Sequence, residues 1–131
     1  MKRVSALCIA SIFGLLILAM SCNNSTNPQT STKPLQLLEP VAPPTEKVGQ
    51  PVTIRWRIND LTQIASVGVE LSIDSGSTWV FELADHVLSV DTTTITWMPT
   101  IDQVSTKCFI RVYKYGEAYV NDKSGMFAVT N

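Results

Sequence analysis

The chain has 131 residues, which is enough for one domain once an N-terminal signal is set aside. It carries 10 basic and 11 acidic residues, a formal net charge of −1, and no basic cluster. Removing the signal takes Lys2 and Arg3 with it, which leaves 8 basic and 11 acidic residues and a net charge of −3. Nucleic acid is therefore excluded as the expected partner, because its phosphates need clustered lysine and arginine.

The N-terminus is predicted to be a secretory signal. A basic start precedes an apolar segment from Ile9 to Ala19, which is shorter than the ~20 residues that a membrane-spanning helix needs. The run Leu18-Ala19-Met20-Ser21-Cys22 resembles a bacterial lipobox, in which a small residue precedes a cysteine that receives lipid. The resemblance implies a signal peptide over residues 1–21 and Cys22 as the lipid-modified first residue of the mature protein.

Lipidation would hold the protein on a membrane of the bacterial cell envelope. A diacylglycerol and an N-terminal acyl chain together make a stable anchor. Asn23 follows the cysteine, and by resemblance to enteric sorting rules this residue favours the outer membrane or cell surface. Residues 22–34 are polar and interrupted by proline, so they are predicted to form a flexible tether. The twelve residues after Cys22 reach at most ~40 Å.

No disulfide is expected in the mature chain. Cys8 leaves with the signal and Cys22 carries lipid, so Cys108 has no partner. Cys108 stands in an apolar strand pattern, which is typical of a small buried hydrophobe. The single histidine, His86, stands in a loop-like stretch, and a nucleophilic cysteine is therefore not predicted.

Short alternating segments separated by turn residues predict an all-β domain over residues 35–131. Val52–Ile58 alternates with Trp56 on its apolar side, and Trp97 has the same position in Thr92–Pro99, so both tryptophans are expected in the core. A weakly patterned connection is expected at Ala84–Asp91. About seven strands are predicted, which favours an immunoglobulin-like antiparallel β-sandwich. They are Leu35–Val41, Val52–Ile58, Val67–Ile73, Trp79–Leu83, Thr92–Pro99, Thr106–Tyr113 and Met126–Val129.

The segment from Ser72 to Trp79 is the most specific local motif of the domain. It reads Ser-Ile-Asp-Ser-Gly-Ser-Thr-Trp, which supplies acceptors for turn amides and a glycine that tolerates positive φ. The flanking apolar runs are predicted to form the two strands of a hairpin. The segment resembles the Asp-box, a hairpin signature of sialidase-type propellers that also occurs singly in β-sandwich surface domains. That resemblance implies a structural, non-catalytic role for Ser72, Asp74, Gly76, Thr78 and Trp79.

A wider resemblance covers nearly all of Leu35 to Val129. In order, the chain has Gly-x-x-x-x-Ile-x-Trp from Gly49, the Asp-box, Ile-x-Trp-x-Pro from Ile95, Ile-Arg-Val from Ile110 and Ser-Gly-x-Phe from Ser124. This order is similar to the immunoglobulin-like module related to the yeast cell-wall synthesis proteins Kre9 and Knh1, widespread in bacterial surface and secreted proteins. The resemblance implies association with a surface or cell wall and no catalytic residue.

Outward-pointing aromatic residues are the candidate ligand surface. An amphipathic tyrosine surface can bind a glycan or a protein, or it can merely cover an exposed sheet face. Trp79 is interpreted differently, as a side chain that covers the Asp-box turn. The outward aromatics are predicted on the final hairpin: Phe109, Tyr113, Tyr115 and Tyr119.

No catalytic or metal site is predicted. Glu70 and Glu82 are expected to face each other across the Asp-box hairpin, but hairpin glutamates on a solvated sheet face are ordinary and are not interpreted as a glycosidase pair. Asp74 is expected to accept hydrogen bonds from turn amides, since calcium needs more converging oxygens than the turn offers. The sequence has no zinc spacing, phosphate loop or Ser-His-Asp arrangement, so no cofactor is expected.

These observations predict a lipid-anchored envelope protein with a non-catalytic structural or interaction role. Its expected partner, beyond the membrane that holds the anchor, is an envelope protein or a polysaccharide. The alternative is a carbohydrate-binding module that recognises cell-wall or extracellular polysaccharide through the outward aromatics.

Overall fold

The described residues form nine strands in two sheets, which confirms the predicted all-β sandwich. The computed structural model describes residues 33–42 and 44–131. The predicted signal peptide, the predicted lipidation site Cys22 and most of the predicted tether lie outside these residues. In the described part of the chain no helix is long and apolar enough to cross a bilayer. The strands are β1 (Leu35–Glu39), β2 (Glu46–Lys47), β3 (Val52–Ile58), β4 (Ser66–Ser72), β5 (Phe81–Leu88), β6 (Thr92–Trp97), β7 (Ser105–Lys114), β8 (Glu117–Lys123) and β9 (Phe127–Thr130).

The strands divide into a smaller and a larger sheet. The smaller sheet has the order β1-β3-β6, and the larger has the order β2-β9-β7-β4-β5 with β8 also paired to β7. The ladders are antiparallel apart from β2 and β9, which run parallel. Because β3 pairs with β6 and β4 pairs with β7, the chain crosses repeatedly between the sheets, as immunoglobulin-like folds do.

Strand β7 pairs with two different strands, β8 and β9, along one edge. Its residues Arg111–Lys114 pair with β8, and its residues Ser105 and Cys108 pair with β9. Between β8 and β9, the buried Ser124 forms the hydrogen bonds to β7. Its Oγ accepts a hydrogen bond from the Ile110 N–H at 3.0 Å, and its own N–H donates to the Ile110 carbonyl at 2.9 Å. Both polar groups of Ile110 are thus satisfied where one partner strand gives way to the next.

Strand β8 also ties the larger sheet to the smaller one. Asp122 accepts a hydrogen bond from the Leu37 N–H at 2.9 Å and forms an ion pair with Lys33 at 2.8 Å. Its cross-strand partner on β7 is Val112, which is buried, so the Asp122 side chain lies on the inner side of the hairpin. These contacts fasten the start of β1 to the larger sheet.

The core lies between the apolar sides of the two sheets. Trp56 is fully buried and Trp97 nearly so, as predicted. The Trp97 Nε1 donates to the buried Gln103 at 3.1 Å, and the ring meets Phe127 edge-on at 6.3 Å. Cys108 is also fully buried, and burial raises the pKa of its thiol. Truncating a core tryptophan to alanine typically costs about 3–5 kcal/mol.

The second hairpin strand differs from its prediction. It runs over Phe81–Leu88 and not over Trp79–Leu83, so most of the expected connection Ala84–Asp91 belongs to a strand. Two register irregularities interrupt its pairing with β4, and His86 lies in β5 with a positive φ of 49°. Because such bulges shift side chains between faces, the strand lacks the alternation that would have predicted it.

Two further strands were not predicted, so nine replace the expected seven. Glu46–Lys47 forms a two-residue parallel pairing with β9. Glu117–Lys123 forms β8, which the sequence conceals because its inward positions include the charged Asp122. The first predicted strand also ends earlier, at Glu39.

Candidate functional site

The turn between β4 and β5 is built by two side chains. Asp74 accepts hydrogen bonds from the Thr78 N–H at 2.9 Å and the Thr78 hydroxyl at 2.6 Å. The Ser72 hydroxyl donates to Asp74 at 2.7 Å and accepts from the Gly76 N–H at 2.8 Å. Two consecutive residues, Ser75 and Gly76, have positive φ values of 65° and 81°. The polar residues predicted for this turn therefore meet in one hydrogen-bonded unit.

The same hydrogen bonds fix the charge of Asp74. Donation by the Thr78 hydroxyl, then by the Thr78 N–H and Ser72, lowers the pKa of Asp74 from 3.8 to about 2. The carboxylate is therefore ionised at neutral pH, and both of its oxygens are occupied by the turn. Its chemistry is that of an acceptor that holds the backbone.

The turn places Trp79 on the outer side of the larger sheet. The Arg111 guanidinium carbon lies 4.2 Å from the centroid of the Trp79 ring and 5.2 Å from that of Tyr113. The Trp79 ring also lies over the turn, because a Cβ built on Gly76 would be 3.6 Å from it. Trp79 therefore covers the turn, as expected, and also stacks on a cation of β7.

Arg111 is held in place by Glu70. These residues are cross-strand partners on β7 and β4. The Arg111 Nε and Nη2 donate to Glu70 Oε2 at 2.8 and 2.6 Å. The two side chains are only 17% and 16% exposed, so this pair is shielded from water far more than a usual surface ion pair.

Tyr113 lies against a glycine of the neighbouring strand. Its cross-strand partner is Gly68, and a Cβ built there would be 2.5 Å from both Cζ and Oη of the tyrosine. Burial raises the pKa of Tyr113, and the charges of Glu70 and Asp85 raise it further. We call this group of outer side chains the aromatic face; it consists of Glu70, Trp79, Phe109, Arg111 and Tyr113.

The four predicted outward aromatics occupy three different settings. Phe109 and Tyr113 lie on β7 within the aromatic face, and Lys123 Nζ is 5.6 Å from the Phe109 ring centroid. Tyr115 lies in the turn after β7, where its ring meets His86 edge-on at 4.4 Å. Tyr119 lies on β8, is 80% exposed, and donates its hydroxyl to Glu117. The four rings therefore do not form one continuous platform.

Three members of this site were not predicted to belong to it. Glu70 was expected only to face Glu82, and no site role was predicted for Arg111 or Gly68. Gly68 had a usable signal, because a glycine between two valines inside a strand often marks the close approach of another group. The Trp79–Arg111 contact had none, since it depends on the register of β4 with β7.

Two carboxylates of the larger sheet have structural contacts: Glu70 pairs with Arg111, and Asp74 accepts hydrogen bonds within the turn. Glu70 and Glu82 are cross-strand partners, as the sequence predicted, but Glu70 is engaged by Arg111. Over residues 33–42 and 44–131, no group of three or more His, Cys, Asp or Glu side chains is arranged to hold a metal ion. The aromatic face thus offers rings, one cation and one anion in fixed positions, an arrangement suited to recognition.

Comparisons with protein-family models, curated proteins and solved structures find no match for this chain.

Proposed function

We propose that this protein is a lipid-anchored component of a bacterial cell envelope whose sandwich is a non-catalytic interaction module. The anchor is supported by the run from Leu18 to Cys22 and by the polar segment that follows it. The interaction role is supported by one observation above all, the aromatic face. There, Arg111 is fixed by Glu70 and stacks on Trp79 and Tyr113.

Such a face suits binding because its side chains are ordered before a partner arrives. Tryptophan, tyrosine and arginine dominate the energetics of protein interfaces. A side chain that is already immobilised loses little further entropy on association, which leaves more of the contact energy for affinity. The expected partner is an envelope protein with an apolar and charged surface that complements these rings and their ion pair.

The anchor is tested with the full chain expressed in a bacterium fed labelled fatty acid. Wild type should take up label and sediment with the membranes, whereas Cys22→Ser should do neither. Cys108→Ser is the matched control and should label like wild type, because Cys108 is buried in the domain. Labelling of the Cys22→Ser chain would contradict the anchor assignment.

The interaction role is tested by affinity capture from envelope extract. Wild type should retain a discrete protein, and Trp79→Ala should lose it while remaining folded by circular dichroism. The matched control is Thr94→Ala, an exposed position on the smaller sheet. Retention that is unaffected by Trp79→Ala would show that binding uses another surface.

A carbohydrate-binding module is the second candidate, and Tyr119 is the observation that favours it. This ring is 80% exposed and its hydroxyl is oriented by Glu117, an arrangement that leaves the ring surface accessible for a sugar. In this case, saturable binding of a cell-wall or extracellular polysaccharide should fall sharply in Tyr119→Ala and Tyr115→Ala. Unchanged glycan affinity in both variants would exclude this candidate.

A further inference from the structure

The chain enters the sandwich at one end, where three connections meet. The Asn59 N–H donates to the Pro34 carbonyl at 2.8 Å, which places the first described residues beside the loop after β3. In the same region, the Ser89 N–H donates to Ala65 at 3.0 Å and the Tyr115 N–H donates to Ser66 at 3.0 Å. We call this the N-terminal end of the sandwich; it comprises residues 33–34, 59–65, 88–91 and 115–116.

This end exposes large apolar side chains. Each extends from a different connection or strand terminus, and each is between 44% and 72% exposed. Because these side chains are exposed, they contribute little to the core, and their shared location at one end therefore needs another explanation. The set consists of Leu61, Leu88, Val90 and Tyr115.

The length of the preceding chain limits how far this end can lie from a membrane. Ten residues separate Cys22 from Lys33, and they reach at most about 35 Å when fully extended. Strand β3, with seven residues, is about 23 Å long at ~3.3 Å per residue. With a lipid on Cys22, the N-terminal end is the part of the domain that follows the anchor most closely along the chain.

We propose that the N-terminal end rests directly on the lipid surface. Leu61, Leu88 and Val90 enter the boundary between headgroups and acyl chains, and the Tyr115 ring lies at headgroup level. Aliphatic side chains gain by entering this boundary, and amphipathic tyrosine rings are enriched there. This inference rests on the proposed function, because it takes the anchor at Cys22 as given.

Charge at this end selects the kind of lipid. Asp60 and Asp91 carry carboxylates here, while the one lysine within these ranges, Lys33, is engaged in an ion pair with Asp122. An anionic membrane would repel this set of charges. The surface therefore fits a zwitterionic bilayer, such as one of phosphatidylcholine or phosphatidylethanolamine.

The opposite end of the sandwich supplies an internal control. It exposes a similar set of large apolar side chains in the connections before β5 and β7, including Val80, Met98 and Ile101. These residues lie at the end of β3 and β4 remote from the point where the chain enters. If apolar exposure alone drove binding to the bilayer, side chains at both ends would become shielded from water. If the N-terminal end rests on the bilayer, only its side chains become shielded.

The test uses the full lipidated chain on phosphatidylcholine vesicles. Leu61→Cys, Val90→Cys and, as the matched control, Ile101→Cys are each spin-labelled, with Cys108 protected by burial and Cys22 by acylation. Accessibility to a water-soluble nickel complex should fall several-fold for labels at 61 and 90 on vesicle binding and stay constant at 101. Replacing a third of the lipid with phosphatidylglycerol should restore part of the lost accessibility.

The outcomes separate this inference from the anchor. Vesicle co-sedimentation that requires Cys22, combined with equal nickel accessibility at all three positions, overturns the seating and leaves the anchor intact. Failure of the wild-type chain to sediment with vesicles overturns both. Stronger shielding on anionic vesicles overturns the assignment to a zwitterionic surface.

Discussion

Among the described residues, an arginine–glutamate pair lies on each outer face of the sandwich, and the two pairs differ in their surroundings. On the smaller sheet, Arg55 pairs with Glu39, and the side chains are 42% and 46% exposed. On the larger sheet, Arg111 pairs with Glu70, and the side chains are 17% and 16% exposed. Both pairs join neighbouring strands, so strand geometry does not account for the difference.

The difference comes from what lies next to each arginine. Neighbours of Arg55 across the β3–β6 ladder are threonines, which are short and leave water in contact with the guanidinium. Arg111 contacts the rings of Trp79 and Tyr113. Because the rings exclude water, the same ion pair is screened less and each partner depends more on the other. Aromatic neighbours thus turn a surface pair into a structural one.

Of the substitutions that test this comparison, Arg111→Ala is expected to lower the free energy of unfolding most. It leaves Glu70 shielded from water without a cation and opens a gap beneath the Trp79 ring. Loss of about 2–3 kcal/mol of unfolding free energy is expected in denaturant titration, somewhat less than for a fully buried pair. In a Glu70→Ala background the same substitution should cost clearly less, since no stranded charge remains. Equal costs in both backgrounds would show that the ion pair is not the source.

Gly68→Ala is expected to disturb the same face by steric means. The added Cβ meets the Tyr113 ring at 2.5 Å, so the ring must leave its place beside Arg111. A loss of about 1–2 kcal/mol is expected from such overpacking. In a Tyr113→Ala background, Gly68→Ala should be nearly neutral. A full cost in that background would assign the effect to the backbone of β4.

Asp74→Asn is expected to loosen the turn that carries Trp79, in a pH-dependent way. The folded-state pKa of Asp74 is about 2, below its ordinary 3.8, so its ionised form stabilises the fold above about pH 4. This contribution disappears as the pH falls toward 2. The melting temperature of the variant should therefore lie below that of wild type at pH 7 and approach it between pH 4 and 2. A difference that stays constant with pH would contradict the role of the carboxylate charge.

Arg55→Ala is expected to have the smallest effect. Its pair with Glu39 is exposed and lacks aromatic cover, and such pairs contribute about 0.5 kcal/mol or less to stability. Chemical denaturation measured beside Arg111→Ala provides the matched comparison. A cost for Arg55→Ala as large as that for Arg111→Ala would remove the distinction between the two faces.

Much of the fold could be predicted because one periodicity governs it. The alternation in Val52–Ile58 predicted a half-buried strand and the burial of Trp56, and both are confirmed. The same pattern failed for β8, where the inward-facing Asp122 is satisfied by a backbone amide of β1. Periodicity reports the average polarity of a face, so it does not predict a half-buried carboxylate whose hydrogen-bond partner is distant in sequence.

The candidate site was less predictable because it depends on pairing between distant strands. The outward direction of Phe109 and Tyr113 follows from alternation alone and agrees with the structure. The contact of Trp79 with Arg111 requires the register of β4 against β7 and the path of the turn after Asp74. Neither register nor the path of a turn is specified by local sequence in a single chain.

The pairing of β2 with β9 has a consequence for how the domain folds. Glu46 aligns with Val129, near opposite ends of the domain sequence, and β9 contributes the buried Phe127 and Val129 to the core. Contacts between such distant residues form only after long loops have closed, so folding is expected on the order of milliseconds to seconds. Until the last strand docks, the free edge of β7 stays open to pairing with other chains. Docking of β9 thus decides how long the newly made chain is exposed to aggregation.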